Sequence, residues 1–184
     1  MIAPEDVLHF WFAGDAACWR DEWFKKSDDF DASCRRFADA LREARQGAYD
    51  HWTDTPQGTL ALVILLDQFS RNLHRGSAEA FAADAKARDV ARVAIAREFD
   101  TMLGPVERTF MYLPFEHSEN LADQDESVRL FGLVRDSVKD SIKYAEDHRD
   151  VIRRFGRFPH RNAALGRVST PEELAYLAEP GSGF

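Results

Sequence analysis

Apolar residues recur at intervals of three and four along most of this chain, the spacing that lines up one face of a helix. In FDASCRRFADALREA they fall at Phe30, Cys34, Phe37, Leu41 and Ala44, and Gly47 suits a C-terminal cap. Thr55 followed by Pro56 reads as an N-cap with a first-turn proline, and Leu62, Leu66, Phe69 and Leu73 carry a second stripe towards Gly76. Ser77 or Asp84 can cap a third, alanine-rich segment, AKARDVARVAIARE, whose small side chains let a neighbour approach closely. Pro105 opens a fourth helix. Pro114 has no N–H for the carbonyl of Phe110 and costs about 3 kcal/mol in a regular interior, so a kink or restart is expected there.

From Asp123 a capping-box pattern with Glu126 leads into Val128, Phe131, Val134, Val138, Ile142 and Ala145. A break is expected near Asp140 and an end at Gly156. Thr170, Pro171 and Glu173 predict a short last helix through Leu177, followed by a fraying tail over 178–184. The N-terminal VLHFWF and the group Trp19, Trp23 and Phe24 read as helix-packing aromatics. No alternation of period two and no 34-residue repeat is visible. The expected fold is therefore all-α, a single helical domain over residues 1–184.

Length and composition agree with one self-sufficient core: 184 residues, 45% hydrophobic and 12% aromatic, of a size that buries roughly 70% of the unfolded chain's surface. The formal charge of -8 argues against general nucleic-acid binding, which draws on Lys and Arg against phosphate. Positive charge is nevertheless concentrated: His148 to Arg167 holds six arginines against one acid, Asp150. Two cysteines, Cys18 and Cys34, are too few for a disulfide framework, and the longest apolar run, LALVILL, falls far short of the roughly 18 residues of a membrane span. A cytoplasmic protein without a membrane role is expected, since MIAPEDVLHF is acidic where a secretory signal would be basic.

Three polar blocks carry the candidate chemistry. In LLDQFSRNLHRG, helical rotation places Asp67, Arg71 and Arg75 on one side, with Asp67 and Arg71 spaced as an ion pair. In YLPFEHSENLADQD, the proline precedes Glu116, His117, Glu119 and Asn120; the acids share a face if the helix resumes, with His117 pointing elsewhere. Acid–base chemistry by Glu116, His117 and Glu119 is one reading, whereas the chain lacks the two Glu-x-x-His helices of a di-iron bundle and no metal or cofactor is expected. In HRDVIRRFGRFPHRN the basic residues are arginine without lysine, which favours fixed, bidentate contacts with carboxylate or phosphate. Arg157, His160, Arg161 and Asn162 then either tie Asp67, Glu116 and Glu119 into an internal network or receive an anion.

These three blocks and the VLHFWF opening resemble the bacterial family known as domain of unknown function 924, over nearly the whole chain. The resemblance implies a tetratricopeptide-like fold of antiparallel helix pairs and brings no activity with it. Its recurrent polar positions map onto Asp67, Gln68, Arg71, Arg75, His117, Glu119, Arg157, Pro159, His160, Arg161 and Asn162.

Taken together, the sequence favours a helical binding module for a small anionic ligand or an acidic peptide, with Asp67, Arg71, Arg75, Arg157, His160, Arg161 and Asn162 at the site. An enzyme using Glu116, His117 and Glu119 is the alternative, and a purely structural polar network is the third reading. Oligomeric state is not legible from the residues.

Overall fold

The computed structural model describes residues 2–182. Among these residues every regular element is helical: α1 (Pro4–Phe12), α2 (Asp28–Cys34), α3 (Ala38–Arg45), α4 (Pro56–Leu73), α5 (Asp84–Ala96), α6 (Pro105–Glu116), α7 (Leu121–Gly132), α8 (Ser141–Phe155) and α9 (Pro171–Leu177), with short 3-10 turns between several of them. Successive helices pack as pairs, α4 on α5, α6 on α7 and α7 on α8. None is long and apolar enough to cross a membrane. Both cysteines are free, Cys18 exposed and Cys34 buried.

The hub is α4. At 18 residues it is about 27 Å long, and it packs against α1, α2, α3, α5 and α6. Every residue from Gly58 to Ser70 is buried, so this helix is enclosed on all sides rather than along one stripe. Its start follows from sequence: the Thr55 side chain accepts from the Gly58 N–H at 3.1 Å, and Pro56 occupies the first turn, where no donor is missed. An aromatic cluster closes over it. Phe69 stacks on Phe37 at 4.7 Å and meets Trp11 edge-on at 5.3 Å, and Trp11 in turn meets Phe110 at 5.5 Å.

Several expectations shift by a turn. The stripe from Phe30 to Ala44 is two helices, α2 and α3, joined by a 3-10 turn at Arg35–Phe37. Helix α6 runs through Pro114 and stops two residues later, so the proline sits where the ladder is already ending. The N-cap of α7 is Asn120, which accepts from the N–H groups of Ala122 and Asp123, rather than Asp123 three residues on. Asp123 faces Arg88, Arg92 and the Ser118 hydroxyl instead. The helix expected to run from Asp123 past Val134 and Val138 to a break near Asp140 stops at Gly132, and the chain is non-helical over 133–140 before α8 starts at Ser141; the left-handed Gly156 (φ 69°) and the Thr170 capping box stand where the sequence puts them. Of the tail expected to fray, Gly183 and Phe184 lie outside the described residues, while the Ser182 hydroxyl donates to Leu177 O.

One glycine is fixed by close approach. A Cβ at Gly58 would lie 2.3 Å from the backbone oxygen of Trp52, a clash with rigid atoms at the first turn of the hub helix. Gly58→Ala is expected to destabilise the fold by about 1–3 kcal/mol, despite alanine's better helix propensity, as read by urea unfolding.

Candidate functional site

A cavity of about 570 Å³ opens between α4, α6, α8, the aromatic segment before α2 and the turn after α8. The C-terminal half of α4 supplies its first polar group. Asp67 is fully buried, and one of its oxygens accepts from Arg71 Nη1 at 3.2 Å and lies 2.7 Å from His117 Nδ1. Gln68 Nε2 donates to the other oxygen at 2.6 Å. Burial alone would raise the Asp67 pKa; the charge of Arg71 and the imidazole of His117 outweigh it and hold the carboxyl well below its usual range. An ionised carboxylate only accepts, so the shared proton sits on His117 Nδ1 and the lone pair on Nε2. His117 lines the cavity. Burial first, then Arg71, lowers its pKa, which keeps the ring neutral at pH 7.

Arg71 is divided between two acids. Besides Asp67 it binds Asp84 with both terminal nitrogens, each at 3.0 Å, and its guanidinium lies 5.8 Å from the Phe81 ring. Asp84 is thus a site residue as well as the opening residue of α5.

Glu116 and His117 end α6. Their turn is held by a side chain in α7: Gln124, with no exposed surface, donates to the carbonyl oxygens of Glu116 and Ser118, each at 2.6 Å. Glu116 also lines the cavity; it is buried, and its Oε2 has no hydrogen-bond partner. Burial, followed by the neighbouring carboxylates of Asp67 and Asp147, pushes its pKa up to about 8, so it is largely a neutral carboxylic acid at pH 7. His148 Nδ1 lies 3.6 Å from Glu116 Oε1 and donates to Tyr144 O at 2.8 Å. Burial lowers the pKa of His148 to about 3 and that of His160 to about 4.

The turn after α8 delivers Arg161. Its side chain is 7% exposed, its guanidinium lies 4.6 Å from the Phe81 ring and 4.5 Å from the Phe158 ring, and its nearest acid is Asp84 at 3.5 Å. Its Nε is buried without a hydrogen-bond partner. Burial, then the charge of Arg71, lowers its pKa to about 10.

The structure therefore divides the residues singled out from sequence. Gln68, Arg71, Glu116, His117, His160 and Arg161 border the cavity, and Asp67 stands directly behind His117. Arg75 reaches the rim, but α4 has ended at Leu73, and its guanidinium grips Asp31 of α2 with two bonds of 2.8 Å. Glu119, Arg157 and Asn162 leave the site. The expected face shared by Glu116 and Glu119 needs an unbroken helix; the chain breaks between them, sending Glu119 to Arg167 (2.7 and 2.9 Å) and the Phe158 N–H (2.8 Å) and turning His117 inward. Arg157 binds Glu173 at 2.6 and 2.8 Å, and Asn162 meets Glu173 and Ser169. Burial would raise the Glu119 pKa, but the Arg167 bonds and the Phe158 N–H lower it on balance; the Arg157 bond brings Glu173 down to about 2.

Sequence reasoning missed Asp84, Gln124, Tyr144 and His148 as site residues. It also placed Trp19 and Phe24 among packing aromatics, whereas both are about half exposed and border the cavity beside buried Trp23. Among the described residues, no group of three or more His, Cys, Asp and Glu side chains is placed to hold a metal ion.

The raised pKa of Glu116 has a definite sign. The folded state keeps a proton that the unfolded chain releases near pH 4.5, so stability attributable to this group falls as pH rises from about 4.5 to about 8. His148 and His160, with lowered values, act oppositely: their contribution is present above about 6.5 and is lost as pH falls towards 4 and 3. Glu116→Gln is therefore expected to melt higher than the parent at pH 8.5, with the gap closing towards pH 5, as followed by thermal unfolding across that range.

The family model described as "Bacterial protein of unknown function (DUF924)" matches residues 7–181. A solved structure of the protein of unknown function ATU0120 from Agrobacterium tumefaciens superposes with a TM-score of 0.88 at 40% identity, over 95% of this chain and 96% of that one. No curated protein matches the chain. With nearly its full length matched by that model, the chain belongs to the bacterial DUF924 family.

Proposed function

We propose that the cavity binds a small organic molecule carrying a carboxylate or phosphate, with Arg161 as the anchor for the anion. One observation carries this reading: a guanidinium buried to more than nine-tenths, lying over two phenyl rings, whose only acid contact among the described residues is a 3.5 Å approach to a carboxylate already bound by Arg71. Burying a charge without full hydrogen bonding is costly, and an anion in the cavity would supply the missing acceptors. The size supports a small molecule over a peptide, because about 570 Å³ lies within the range of cofactor and metabolite pockets. Trp19, Trp23, Phe24 and Tyr144 at the border would cover an apolar or ring-shaped body.

The contrast with Arg157 sharpens this. Arg157 saturates Glu173 and also donates to Val168 O at 2.9 Å; it braces the fold. Arg161 is poised for a further partner.

Benzoate is a suitable probe, with inorganic phosphate beside it. At least one of them is expected to raise the melting temperature of the parent, and Arg161→Met to abolish that shift while melting no lower than the parent without ligand. Arg157→Met should melt lower and, where folded, keep the shift. An equal shift in Arg161→Met, or no shift from either anion in the parent, would refute the assignment.

A further inference from the structure

Anion anchoring leaves two other groups at the cavity unused. The Asp67 carboxylate fixes His117 through Nδ1 at 2.7 Å and turns Nε2 to the cavity as an acceptor. The adjacent Glu116 also borders this cavity, and its Oε2 is buried with no partner. A structural carboxyl would be expected to find a donor, since unsatisfied buried polar atoms are rare. A proton acceptor and a proton donor, held by consecutive residues on one rigid turn, form a set suited to moving a proton within a bound molecule.

We propose that this cavity is a proton-transfer site, with His117 Nε2 as the base and the Glu116 carboxyl as the acid, acting on the small anionic molecule anchored by Arg161; this rests on the ligand reading above. His117 removes a proton from the bound molecule and Glu116 gives one to another of its atoms. The molecule leaves as its isomer, and the imidazolium returns a proton to the Glu116 carboxylate through solvent, so both groups are restored. Asp67 is a positioning residue: it selects the tautomer and stabilises the imidazolium. Neither step requires an oxidant or a nucleophile.

The groups facing this pair set its protonation. Asp67 and Arg71 come from α4, Asp84 from α5, Asp147 and His148 from α8, and His160 and Arg161 from the following turn. Around His117, the lowering by burial and Arg71 prevails over Asp67 and Asp84. Around Glu116, burial and two carboxylates favour the neutral acid. The base is thus deprotonated and the acid protonated together near pH 7, the working combination.

Two measurements test this. Nitrobenzisoxazole, a small aromatic carbon acid, reports a base in an apolar cavity: His117 would take its C–H proton, that bond's electrons would complete a nitrile, the N–O bond would break, and Glu116 would protonate the phenolate oxygen. The parent is expected to turn it over with saturation and inhibition by benzoate, His117→Gln to lose about 100-fold, and Asp67→Asn to fall while its pH profile moves. Nitrogen-correlated NMR of the histidine side chains should show His117 at pH 7 with its proton on Nδ1, and a changed tautomer in Asp67→Asn. Equal rates in parent and His117→Gln, or a His117 protonated on Nε2 at pH 7, would overturn the proposal. Benzoate binding retained in His117→Gln separates this outcome from failure of the ligand reading, which would appear as no binding in the parent.

Discussion

A carboxylate closed off from water has to be matched by donors where it stands, and the buried ionised Asp67 on the hub helix imposes that condition on its surroundings. Three side chains answer it: Gln68, Arg71 and His117. Arg71 is drawn inward and must itself be balanced, which engages Asp84 from α5. His117 is drawn from the end of α6, which locates the turn carrying Glu116. One buried charge thereby specifies the relation of three helices, in the sense that low dielectric makes a half-made polar network costly. The same bond leaves His117 with one ring nitrogen committed and the other turned to the cavity.

A second set of ion pairs, outside the cavity, holds the C-terminal segment. Glu119 receives Arg167 and the Phe158 N–H, and Glu173 receives Arg157, Asn162 and the Thr170 N–H. Phe158, fully buried between these clamps, fixes the turn from which His160 and Arg161 project. The arginine-rich stretch so serves two ends: its outer members close the segment on the body, and Arg161 enters the recess.

Much of this was legible in the sequence, for physical reasons that differ by residue. The Thr55–Pro56 start, the Gly156 stop and the Thr170 capping box are local devices, so one segment suffices to read them. Asp67 with Arg71 is also local, being one helical turn. What sequence could not give was the direction of His117 and Glu119. Both depend on where the helix through Pro114 stops, and the spacing argument for Glu116 and Glu119 presumed that it resumed at once. Asp84 looked like a cap because its actual partners, Arg71 and Arg161, are 13 and 77 positions away. Gln124 was invisible for a related cause: a glutamine inside an amphipathic helix carries no sign that its amide will hold the carbonyls of another helix's last turn.

The distribution of satisfied and unsatisfied groups is itself informative. In the C-terminal clamps the oxygens of Glu119 and Glu173 are all engaged, although Arg167 Nε and Asn162 Oδ1 beside them are buried without partners; at the cavity Glu116 Oε2 and Arg161 Nε stand buried without partners. Those two groups are not left so by a shortage of polar chemistry nearby, since Asp67, Asp84 and Arg71 bond one another in the same recess, with Arg161 3.5 Å from Asp84. The network reaches Arg161 only through that approach and leaves Glu116 Oε2 unpartnered. A fold optimised for stability alone would replace such groups with apolar residues of similar volume, at little loss or some gain. Their retention beside an aromatic-rimmed cavity is what the proposed binding of an anionic molecule would account for.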